Sequence, residues 1–221
     1  MHSAAGDGQV GVIKVLKEFG ADLSPKSDGG WTPIHLAAEG GQVDAIKVLK
    51  ELGVDLSLKT NKGWTPIHLA AEGGHVDAIK VLKELGADLS PKTNGGLTPM
   101  HVAAGVGQVG VIKGLKELGM DVSEKVAGGR TPMHTAARYG KVDVIKVLKN
   151  FNAHMSPKAN NGQTPMHLAA KRGDDDVIMV LKKLGADVSA RDNAGRTPYD
   201  LAQGAGNTVV CDVLKALDGH P

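Results

Sequence analysis

Aromatic side chains are scarce in this chain: they make up 3% of its 221 residues, namely Phe19, Trp31, Trp64, Tyr139, Phe151 and Tyr199. A compact globule of this length normally fills its centre with several such rings. Here any core must come from aliphatic residues, which dominate a 41% hydrophobic share. Cysteine is nearly absent. Cys211 stands alone, which excludes an intrachain disulfide. No apolar run approaches the ~18 residues of a membrane span, and the N-terminus lacks a signal-peptide core. Excess charge is missing too: a net +2 is too small to draw nucleic acid or a membrane by bulk electrostatics. The expectation is an intracellular chain, cytoplasmic or nuclear, monomeric, with neither nucleic acid nor membrane as its partner.

The small net charge conceals an asymmetry. Residues 1–126 carry 13 Lys/Arg against 15 Asp/Glu, whereas residues 127–221 carry 13 against 9. All five arginines, Arg130, Arg138, Arg172, Arg191 and Arg196, lie in the second stretch.

Glycine is abundant, at 30 residues, and recurs at intervals that mark turns. Thr-Pro pairs open at Thr32, Thr65, Thr98, Thr131, Thr164 and Thr197, each 33 residues after the last. The first five carry copies of one block, Thr32-Pro33-Ile34-His35-Leu36-Ala37-Ala38. A threonine can cap free backbone N–H groups, and proline suits the first helical position because it has no N–H to satisfy. His35 stands where a capping box places Glu or Gln, so its ring can bond back to Thr32. A first helix is predicted from Pro33 to Gly40 and a second from Val43 to Leu52, with Val43, Ile46, Leu49 and Leu52 along one face. Gly53 supplies a left-handed stop. Asn152 fills that slot in a later copy. Helices this short do not persist singly in water, so neighbouring copies must bury each other.

Period and block resemble the ankyrin repeat, with its T-P-L-H-x-A signature, over essentially the whole chain. The resemblance implies an all-α solenoid of helix pairs joined by projecting β-turns, in a curved, elongated stack. In this register one repeat domain spans 1–221: a partial repeat at 1–26, full repeats at 27–59, 60–92, 93–125, 126–158 and 159–191, and a capping repeat at 192–221. Repeats 27–59 and 60–92 differ at six positions, which fits recent duplication or a consensus-like design. Asp200 and Gln203 make the last repeat a polar cap.

The resemblance also implies a non-catalytic scaffold that meets a protein partner through turn tips and the exposed ends of first helices. At those places the copies vary while the frame stays fixed. The residue before threonine reads Trp31, Trp64, Leu97, Arg130, Gln163, Arg196, and after Ala-Ala come Glu39, Glu72, Arg138-Tyr139 and Lys171-Arg172. Candidate contacts are Trp31, Trp64, Leu97, Arg130, Arg138, Tyr139, Lys171, Arg172 and Arg196. The two tryptophans serve either as binding anchors or as braces packed over a neighbouring turn.

Reactive chemistry is not expected. Five ladder histidines, His35, His68, His101, His134 and His167, recur at a spacing that puts them on adjacent helices ~8–10 Å apart, too far to share one ion. His75, His154 and His220 are isolated. No metal, cofactor or catalytic residue is assigned. Cys211 occupies a core position, aligned with Ile46. Lysine columns such as Lys47/Lys50 and Lys26/Lys59/Lys92 offer the alternative of an acidic-surface or nucleic-acid binder. Asp44 and Glu51 sit at good spacing to neutralise Lys47. Further alternatives are a targeting segment of a larger protein and a designed binder. Gly114, in place of Val48 and Val81, and Asp175, in place of Val43 and Val76, should loosen their repeats.

Overall fold

The computed structural model describes residues 1–218. Among them are fourteen α-helices and no strands. They run in pairs: α1 His2–Gly6 and α2 Val10–Glu18; α3 Pro33–Glu39 and α4 Val43–Glu51; α5 Pro66–Gly73 and α6 Val76–Glu84; α7 Pro99–Val106 and α8 Val109–Glu117. The series continues with α9 Pro132–Arg138 and α10 Val142–Asn150; α11 Pro165–Arg172 and α12 Asp175–Lys183; α13 Pro198–Gly204 and α14 Thr208–Asp218. Two compact units make up the described residues: 1–103 with 113–120, and 104–112 with 121–218.

Each first helix starts as its sequence dictates. Thr32 is extended and Pro33 opens α3. The backbone N–H of Thr32 donates to Nδ1 of His35 (3.2 Å), which also lies 2.8 Å from the threonine Oγ1. The same capping box opens α5, α9 and α11. In α13 Asp200 takes the histidine's place, and its Oδ2 accepts from the Thr197 N–H at 2.7 Å. A carboxylate caps as well as imidazole does but has no second arm to donate onward. Those bonds also hold the Asp200 carboxyl below its usual range.

Within the first unit α3 packs between α1 and α5, and α4 between α2 and α6; within the second, α11 packs between α9 and α13, and α12 between α10 and α14. First helices stack on first helices, second on second. The layers are thin, and aliphatic residues fill them: Ile34, Ala37, Ala38, Ala45, Ile46 and Leu49 are all fully buried. The buried face of α4 is centred on Ala45, Ile46, Val48 and Leu49, rather than on the stripe predicted from Val43 to Leu52. Helices pack on both flanks of α4 as well as in front, so its buried face is broad, and Val43 and Leu52 fall half-buried at its edges.

The left-handed stops are in place. Gly53 has φ +91°, and Asn152, the only non-glycine residue with positive φ among the described residues, has φ +61°. Asparagine tolerates that region better than other side chains do. Asp175 stands at the start of its helix. It lies exposed in the first turn of α12, where acids favour the helix dipole, and Asp174 caps that helix by accepting from the Val177 N–H.

Candidate functional site

Within each unit a histidine ladder reaches from one repeat to the next. His35 Nδ1 accepts from Thr32, so its proton sits on Nε2, which donates to the carbonyls of Trp64 (3.1 Å) and Leu58 (3.0 Å). His2 reaches the Trp31 carbonyl, His68 that of Leu97, His134 that of Gln163 and His167 that of Arg196, all at 3.0–3.1 Å. These acceptors are the variable residues that precede each threonine. The ladder therefore pins their backbone while their side chains are free to differ. Burial keeps the rings neutral: it pushes His35 and His167 below the usual value, and His68 and His134 down to about 4.

Asparagines lock the turn tips together. Asn61 donates its backbone N–H to the Gly29 carbonyl (3.0 Å) and its side-chain amide to Asp28 (2.8 Å). Asn94 repeats this on the preceding tip, and so does Asn193, while Asn160 bonds the Gly128 carbonyl. The fit is close. Gly30 has φ +76°, and a Cβ there would lie 2.7 Å from the Asn61 backbone nitrogen.

Beside these tips lie two grooves in the same register. The first, of about 500 Å³, is bounded by Gly29, Trp31, Asn61, Lys62, Trp64, Leu69 and Glu72. The second, of about 270 Å³, is bounded by Gly128, Arg130, Arg138, Asn160, Asn161, Gln163 and Leu168, with His134 at its floor. Gly128, Arg130, Asn160, Asn161, Gln163 and Leu168 stand three 33-residue steps after Gly29, Trp31, Asn61, Lys62, Trp64 and Leu69. One frame thus carries two linings.

In the first groove both indoles are half-buried and lean on the histidine of their own repeat, with ring centres 6.2 Å (Trp31–His35) and 5.8 Å (Trp64–His68) apart. Each ring braces its turn and walls the groove. Burial, reinforced by Glu39, raises the Glu72 carboxyl above its usual range. In the second groove Arg130 and Arg138 are exposed, and the Arg138 guanidinium stands 5.9 Å from the ring centre of Tyr139. Arg172 donates to the Arg138 carbonyl (3.1 Å) and pairs with Asp174 at 3.3 Å.

The structure brings Trp31 together with Trp64, and Arg130 with Arg138, while Leu97, Tyr139 and Lys171 line neither groove. Arg196 is drawn into an ion pair with Asp192, whose side chain is 1% exposed, at 2.8 Å. Burial pushes Asp192 up, but hydrogen bonds from Arg196 and Ala194 outweigh it and leave the carboxyl below its usual range. Sequence reading missed Asn160, Asn161 and the asparagine lock, although Asn61, Asn94, Asn160 and Asn193 recur at multiples of the same period.

Among the described residues no group of three or more His, Cys, Asp or Glu side chains could hold a metal ion. His75 Nε2 lies 2.8 Å from the Glu39 carbonyl, and His154 accepts from the Ser156 N–H. His220 lies outside the described residues. Cys211 is buried. On the second helices Lys146 pairs with Asp143 at 3.2 Å, whereas the counterparts Asp44 and Lys47 form no such pair among the described residues. In the other lysine column Lys59, Lys125 and Lys158 each reach the carbonyl of the next column residue. No described helix is long and apolar enough to cross a membrane.

Capped helix pairs stacked within each unit and tied at their turn tips define a helical repeat protein. Profiles of ankyrin repeats match residues 1–49 (many copies) and residues 52–126, 87–159, 121–192 and 149–219 (3 copies), so the chain belongs to the ankyrin repeat family. Among solved structures it is similar to the human ASB11 ankyrin repeat domain, with TM-score 0.82, 28% identity, and coverage of 100% of this chain and 98% of that one. It also shares the fold of the ankyrin repeat domain of Bcl-3, with TM-score 0.76, 24% identity, and coverage of 97% and 96%. A search of curated proteins gave no match. Ankyrin repeat domains are in general protein-interaction modules.

Proposed function

We propose that this chain is a non-catalytic scaffold, one repeat domain across residues 1–221, that captures a protein partner on the face of its turn tips and first helices. A single observation carries the reading: the groove of Trp31 and Trp64 recurs three repeats on, with its frame kept and its lining changed to Arg130, Arg138 and Gln163. Packing alone would favour the same residues in each copy. Tryptophan and arginine beside a rigid backbone are the side chains that dominate binding energy at protein interfaces. Because the ladder fixes that backbone in advance, little ordering is lost on association. Catalysis finds no support. Both nitrogens of His35, His68, His134 and His167 are occupied, and Cys211 is buried.

The test is a pull-down from the source cell with the intact chain and with a variant carrying Trp31→Ala, Trp64→Ala, Arg130→Gln and Arg138→Gln. Loss of a specific partner with unchanged helical circular dichroism supports the reading. Undiminished capture retires this face. Capture that collapses with a few-fold rise in salt for both proteins points instead to the lysine columns.

A further inference from the structure

We infer that the second groove is an oxyanion site, which receives the carboxylate or phosphate of a partner's side chain. The inference rests on the interaction reading above and gives it a chemistry. In the first groove the positions of Arg130, Asn161 and Gln163 are held by Trp31, Lys62 and Trp64, and the Glu72 carboxylate takes part in the lining. In the second no carboxylate takes part in the lining, and two guanidinium groups do.

Arg138 is exposed and forms no ion pair among the described residues. Its guanidinium carbon stands 5.9 Å from the Tyr139 ring centre, and a guanidinium N–H fork suits a planar or tetrahedral oxyanion. The neighbouring acid, Asp174, is already engaged by Arg172 and by the Val177 N–H. Asn161 accepts the Gln163 N–H on Oδ1 at 3.1 Å, which leaves Nδ2 to donate. The Gln163 carbonyl is pinned by His134, and its side-chain amide has no partner among the described residues. The Arg138 guanidinium and the amide donors of Asn161 and Gln163 thus border an opening of about 270 Å³, room for one anionic group.

The experiment is a titration of the full chain with inorganic phosphate at constant ionic strength, read by NMR of arginine Nε–H and side-chain amide signals, with a parallel titration by acetate. Saturable shifts at Arg138 and Gln163 in the millimolar range, with the Trp31 and Trp64 indole signals unmoved, are expected. Arg138→Gln should raise the midpoint about tenfold. Arg196→Gln should leave it unchanged, because Asp192 already occupies that guanidinium. Saturation by acetate at a similar midpoint assigns a carboxylate side chain, and saturation by phosphate alone a phosphorylated one. Non-saturating shifts, equal movement of the indoles, or an unchanged midpoint in Arg138→Gln overturns the assignment. If phosphate fails while groove-dependent capture persists, the oxyanion chemistry is wrong and the scaffold stands. Saturation without capture has the opposite meaning.

Discussion

Acidification should dismantle the histidine ladder before it reaches the carboxylates. His68 and His134 ionise at about 4 in the folded chain and near 6.5 when exposed, because burial penalises the charged ring. A lowered histidine pKa means that the unfolded state binds more protons. The stability tied to neutrality is therefore complete above pH 6.5 and is lost as the pH falls toward 4. At about 1.4 kcal/mol per unit, each ring forfeits about 2 kcal/mol at pH 5 and about 3 kcal/mol near pH 4. Together they remove about 4 kcal/mol at pH 5, a large share of the 5–15 kcal/mol typical of a folded domain. His35 and His167 shift in the same direction and add to the loss. The lowered carboxyls of Asp55, Asp192 and Asp200 act only below this window, and Glu72, whose carboxyl is raised, opposes it slightly. Urea midpoints at pH 7 and pH 5 measure the effect. A double variant, His68→Gln and His134→Gln, keeps a capping side chain and an onward donor, and should flatten the pH dependence. Equal stability of the native chain at both pH values, or an unchanged slope in the double variant, would refute the reasoning.

Two further predictions concern single positions. Arg196→Ala strips the partner from the buried Asp192 carboxylate and should cost about 1–3 kcal/mol at neutral pH by urea denaturation, with Asp192→Asn in the same chain restoring part of it; additive losses would show that the pair is not coupled. Gly114 lies within α8, and a Cβ there would lie 2.8 Å from Val76 Cγ1. The amides of α8 should therefore exchange faster than those of α4 and α6, and Gly114→Ala should slow them only when combined with Val76→Ala. Equal exchange in all three helices would contradict this.

Most of the fold could be read from the chain because the deciding interactions are local. Thr32, Pro33 and His35 sit within one turn of each other, and their capping chemistry follows from residue type and spacing alone. The left-handed stop at Gly53, with Asn152 as its substitute, is local in the same sense. The candidate site was legible only in part. That Trp31 and Trp64 share a groove, and that Arg130 and Arg138 share its counterpart, depends on side chains meeting across neighbouring repeats. The asparagine lock escaped notice because asparagine in a turn already has a sufficient local explanation. Arg196 looked like a groove residue because its column otherwise varies freely. Its neighbour Asp192, four residues earlier and buried by tertiary packing, engages its guanidinium while the arginine stays exposed. Asp175 stands at a valine position in the sequence, and only the placement of the helix start shows that its side chain is exposed there.

The central claim is that a fixed ladder displays variable grooves and that binding uses those grooves. Hydrogen exchange of the chain with and without its captured partner tests it most directly. The amides of turn tips and first helices within residues 27–40, 60–73, 126–139 and 159–172 should slow on binding. Those of α4, α6, α10 and α12, which each carry two lysines, should not. Protection confined to these second helices would contradict the account.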